Sequence, residues 1–75
     1  MAGTEKSAHE ACKEAVMRAL IAAGCSPDSP VDLYLVGPTL VAAGFTEHQI
    51  VNALDSLEYE RRIAYTGGNR VRLTR

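Results

Sequence analysis

Residues 63–74 read IAYTGGNRVRLT, and the fold turns on how this stretch is read. Ile63 and Tyr65 alternate with smaller side chains ahead of Gly67-Gly68-Asn69, and Val71 and Leu73 alternate beyond it. A period of two on both sides of a glycine-rich turn marks a β-hairpin. Residues directly opposite each other share a face, so apolar must oppose apolar. A two-residue loop at Gly67-Gly68 sets Tyr65 against Arg70 and Ile63 against Arg72, which mixes the faces. A three-residue loop over 67–69 pairs Tyr65 with Val71 and Ile63 with Leu73. That register gathers Arg62, Arg70 and Arg72 on the other face with Ala64, Thr66 and Thr74. The sequence predicts a hairpin over about 62–74, apolar inside and basic outside.

Upstream of the hairpin the period changes to that of a helix. Thr46-Glu-His-Gln49 has the form of a capping box, and Ile50, Ala53, Leu54 and Leu57 then fall on one face. This predicts a helix over about 47–60, entered through the turn at Gly44-Phe45. Ser7-Ala-His-Glu10 is a second capping box. The stripe Ala8, Ala11, Cys12, Ala15, Val16, Ala19, Leu20 and Ala23 follows it, closed by Gly24. A first helix over 8–23 is expected, with an Ala-rich face that permits close approach to a neighbour. Cys25-Ser-Pro-Asp-Ser-Pro30 is a turn. Beyond it Val31, Leu33, Tyr34, Leu35 and Val36 favour an extended segment over 31–35, followed by a short helix over 36–43, because Gly37-Pro38 interrupts a longer one. A single kinked helix over 30–43 stays open.

This order of elements, with Leu40, Ala43, Gly44 and Phe45-Thr46 followed by Ile50, Ala53-Leu54, Leu57 and Ile63, resembles the winged helix-turn-helix domain. The resemblance covers nearly all of 7–75. It implies a mainly α domain with a small β-hairpin (α+β), three helices, and a third helix that reads the major groove of DNA. His48, Gln49 and Asn52 lie on the outer N-terminal turns of that helix, where side chains reach base edges. Thr46 and the amides at the helix start offer a phosphate anchor. Arg62, Arg70 and Arg72 on the wing would meet phosphates or a minor-groove edge.

Composition bounds these readings. Seventy-five residues make one domain, and 47% hydrophobic with 23% charged is too apolar for disorder. With no Trp and four aromatics, the core must come mainly from Leu, Val, Ile and Ala. The longest apolar run, 19–23, is far short of the roughly 18 residues that span a bilayer. Met1-Ala-Gly-Thr-Glu-Lys6 does not read as a secretory signal, so a disordered tail over 1–6 and a cytoplasmic protein are expected. Cys12 and Cys25 are separated along the first helix by roughly 1.5 Å per residue, near 20 Å, which excludes a disulfide between them.

Residues 1–60 carry nine acids against three bases, whereas 61–75 carry five arginines and no acid. One anion-facing surface on an acidic body is implied. Helix 47–60, however, has no Lys or Arg, and Glu47 and Asp55 flank its outer face. His9 and Cys12 lack a second pair of metal ligands, and Gly67-Gly68 is a turn rather than a phosphate loop. Glu58 and Glu60 read as a solvated helix end, and Tyr59 as a packing residue. Neither an enzyme nor a cofactor is expected.

Two functions follow. One is a small regulator of DNA transactions that binds duplex DNA. The other is a winged-helix module that binds protein or a second copy of itself through exposed apolar residues such as 33–36. Wing arginines neutralised by Glu58, Glu60 or Asp55, together with an exposed apolar patch elsewhere, favour the second. A continuous basic strip favours the first.

Overall fold

The computed structural model describes residues 7–74; the tail expected over 1–6 lies outside them. Three helices and a three-stranded antiparallel sheet enclose one core, which is the mainly α fold with a small hairpin expected from the sequence.

Helix α1 is Ala8–Ala22. Ser7 caps it, its Oγ accepting from the Glu10 amide at 3.1 Å. The predicted reciprocal arm is diverted, because the Glu10 carboxylate meets Lys13 Nζ at 3.4 Å. Cys12, Val16 and Leu20 are fully buried, and the half-buried alanines between them let α1 lie close against α3.

The segment after α1 departs from expectation. Strand β1 is only Val31–Asp32, and helix α2 is Leu33–Ala42, so 33–35 are helical rather than extended. Two interactions, one local and one with the hairpin turn, override the strand propensity of these residues. The Asp32 carboxylate accepts from the Tyr34 amide at 2.9 Å and caps the helix, while the Leu33 amide donates to the Asn69 carbonyl at 2.7 Å. Pro38 sits inside α2. The residue ahead of it is Gly37, whose missing Cβ removes part of the clash that bars other residues from helical backbone before proline.

Helix α3 is Glu47–Tyr59, with Ile50, Ala53, Leu54 and Leu57 buried as the stripe predicts. Strands β2, Ile63–Gly67, and β3, Arg70–Leu73, form the hairpin. Ile63 pairs with Leu73 and Tyr65 with Val71, the register derived from the alternation. The loop is shorter than predicted. Gly67 opposes Arg70, the turn is Gly68-Asn69, and the additional residue is taken up as a bulge at Thr66. Gly67 and Gly68 have φ of 140° and 56°, which suits glycine in a tight turn.

The hairpin is also not alone. β3 is the central strand, in the order β1-β3-β2, with Val31 opposite Val71 and Asp32 opposite Arg70. Val71 is wholly buried, and its carbonyl accepts from the Cys25 thiol at 3.4 Å. Cys12 donates to the Gln49 carbonyl at 3.5 Å. Both cysteines are free, as the distance argument requires, and burial pushes both thiols up from their ordinary values.

The expected solvated acid Glu60 is a structural residue. Lys13 is 6% exposed on α1, and its Nζ donates to the Glu60 carboxylate; Arg62 Nη1 stands 3.8 Å from the same group. The Lys13 hydrogen bond holds the Glu60 carboxyl below the usual carboxylate range against the opposing effect of burial. Stability from this contact is present above the ordinary glutamate value and lost as pH falls through the lowered folded value. We expect Glu60→Gln to lower Tm at neutral pH, with the difference shrinking as the pH falls below the ordinary glutamate value in a pH series of thermal melts.

Arg61, just past α3, has φ of 63°, a left-handed conformation that disfavours side chains with a Cβ. Arg61→Gly relieves that strain but raises the entropy of the unfolded chain, so a net gain of up to about 1 kcal/mol is expected by urea unfolding.

Candidate functional site: the outer face of α3, the hairpin and an apolar groove

The N-terminal half of α3 presents its outer side chains according to the helical period. His48 and Asn52 are exposed on it, as expected of groups free to meet a ligand. Thr46 and Gln49 are not free. Thr46 Oγ1 accepts from the Gln49 amide at 3.1 Å, and Gln49 Oε1 accepts from the Thr46 amide at 2.8 Å. This reciprocal capping box occupies the amide oxygen that a glutamine needs for bidentate pairing with adenine. It also consumes two of the amides that would otherwise anchor a phosphate.

The three hairpin arginines do not form one strip. Arg62 lies at the base of the hairpin beside Glu60, at the opposite end of α3 from His48. Arg70 is exposed near the turn, but β1 places Asp32 directly opposite it on the same face. Arg72 is half-buried and donates from Nη1 to the neighbouring Leu73 carbonyl at 3.2 Å. Among the described residues neither Arg70 nor Arg72 forms an ion pair. Asp55 and Glu58 add negative charge beside the inner face of the hairpin. Burial foremost, then these two carboxylates, push the Tyr65 phenol up. Tyr59, expected to pack, is 90% exposed instead.

No lysine or arginine occurs between Arg18 and Arg61, so α2 and α3 together bear no cation of that kind, and three acids, Glu47, Asp55 and Glu58, stand on α3. Helix α2 has no charged residue at all.

Sequence reasoning did not foresee what α2 and α3 build between them. Leu33, Ile50 and Leu54 floor a groove of 690 Å³, and its walls include Tyr34, Pro38, Val41 and Val51. Tyr34 is 74% exposed, Val41 57% and Val51 50%. Glu47 is the one charged residue in the lining, and Asn69 of the hairpin turn closes one end. The signal was present in the sequence: once Val36 and Leu40 face the core, a helix this apolar has too many apolar residues for one buried face.

His9 Nε2 meets Ser56 Oγ at 2.9 Å between α1 and α3. Among the described residues no group of His, Cys, Asp and Glu is arranged to hold a metal ion. Comparison with protein-family profiles gives no match, and no curated protein or solved structure is significantly similar to the chain.

The capping box supports a direct prediction. Thr46→Ala and Gln49→Ala should each destabilise the fold, Thr46→Ala by about 1 kcal/mol in urea titrations, whatever ligand is present. A Gln49→Ala variant of unchanged stability would return Gln49 to the free outer face.

Proposed function

We propose that this chain is a winged-helix interaction module that docks another protein in the groove between α2 and α3. One observation carries the reading: an uncharged helix exposes Tyr34, Pro38 and Val41 beside Val51 over an open apolar floor. The largest apolar patch on a small domain is often the place where something binds. Fully covering a side chain of this size returns about 1.5–3 kcal/mol, so three half-exposed ones supply a few kcal/mol from desolvation alone. The condition set by the sequence is met in part. Of the named acids only Glu60 meets a hairpin arginine, Arg62, and among the described residues Arg70 and Arg72 form no ion pair; the apolar patch lies on other elements.

Duplex DNA is the second reading, favoured by exposed His48 and Asn52 on α3 and by Arg70 on the wing. Phosphate neutralisation decides between them. Two or three arginines release few counterions, predicting a log–log salt slope of only about −2 to −3. Three carboxylates on the helix that would enter the groove oppose even that.

The test takes the parent chain and Val51→Asp as paired baits. A captured protein is then identified, purified and titrated against both by calorimetry. Val51 is half-exposed, so the variant should fold with a stability change within about 0.5 kcal/mol. We expect binding to fall at least tenfold in Val51→Asp and to persist in Arg70→Ala. The reverse pattern, joined to duplex binding that survives moderate salt, would establish the DNA reading in its place.

A further inference from the structure

Resting on the docking reading, we infer that the occupant of the α2/α3 groove is an amphipathic helix whose apolar stripe is flanked by lysine or arginine. Its shape comes from the walls. Helix α2 spans ten residues, about 15 Å, which is long enough to cover positions i, i+3 or i+4, and i+7 of a docked helix, about 10.5 Å from first to last. Its charge comes from the rim. Glu47 is the one charge in the lining, and the other two acids of α3, Asp55 and Glu58, lie further along the helix toward the hairpin. Helix α2 contributes no charge to the other wall. A partner with acidic flanks meets like charge at Glu47 and along α3; one with basic flanks finds its counter-charges already placed.

A second copy of this chain fits less well. A two-fold pairing through the groove sets uncharged α2 against uncharged α2 and gives Glu47 no cation. The apolar patch, on the order of a few hundred Å² for a domain of this size, also falls short of the roughly 800 Å² per partner of a stable dimer.

The experiment is selection of peptides from a random library of 16-residue sequences displayed on phage, with the parent chain as target and Val51→Asp as counter-target. Enriched peptides are synthesised and titrated by fluorescence anisotropy. The inference requires enriched sequences with apolar residues at i, i+3 or i+4 and i+7 flanked by Lys or Arg, and binding at least tenfold weaker to Val51→Asp. It also requires Glu47→Lys to weaken the basic peptides severalfold. Val51-dependent peptides with neutral or acidic flanks would overturn the inference while leaving the groove a docking site. No Val51-dependent peptide at all would overturn both. Sedimentation of the parent chain closes the remaining route: a dimer at micromolar concentration that Val51→Asp dissociates would replace the helix with a second copy. Tyr34→Ser is the confirming variant, since it opens the same wall without adding charge.

Discussion

The burial of Val71 at the centre of β3 constrains everything around it. Its side chain is wholly enclosed, and the strand is paired on both sides, to Val31 and to Tyr65. Because side chains alternate, Arg70 and Arg72 have no choice but the outer face. Because β1 pairs in register, Asp32 must stand opposite Arg70, and the chain must then leave the sheet where Leu33 bonds to Asn69. Helix α2 starts at that bond, with its direction already given. The groove exists because α2 starts at the sheet edge and runs beside α3 with only Val36, Leu40 and part of Leu33 turned inward.

Features that depend on neighbours in sequence were readable. The caps at Ser7 and Thr46, the buried stripe of α3 and the pairing of Ile63 with Leu73 each follow from residues a few positions apart. Features that depend on distant partners were not. Nothing near Val31 announces that it will lie against Val71, forty residues on. Lys13 and Glu60 are likewise far apart, and only the close packing of α1 on α3 brings them together. The bulge at Thr66 hid inside a correct register, since it conserves the pairing while moving the turn by one residue. Among the candidate site residues, the wheel placed His48 and Asn52 outside correctly. It could not show that Gln49 spends its side chain on the backbone, although the capping box already implied as much.

Size accounts for the exposed groove. A chain this short has little to spare once α1, α3 and the sheet have closed on Leu20, Leu40, Leu57, Ile63 and Val71. Ala-rich α1 allows intimate contact with α3, and it shields little area beyond that contact. The most exposed of the large apolar side chains, Tyr34, Leu35 and Tyr59, therefore remain in solvent. Two of these lie on α2, the helix with no charge to keep it hydrated.

That division of labour sets the kind of recognition the surface supports. The docking proposed on α2 would draw its free energy from water leaving apolar surface, so salt should affect it little. The carboxylates on the α3 side contribute in a different way: exposed and spaced along the helix, they add little to affinity, yet they fix which way round a charged partner lies. A nucleic acid inverts both requirements, needing cations for affinity and tolerating apolar surface only as wedges. The two helices best placed to meet a duplex carry no lysine or arginine, and of the hairpin arginines Arg62 stands beside Glu60 and Arg70 opposite Asp32. The same sheet pairing that turns Arg70 outward thus gives it an acidic neighbour, and leaves the uncharged helix as the surface with most to gain from a partner.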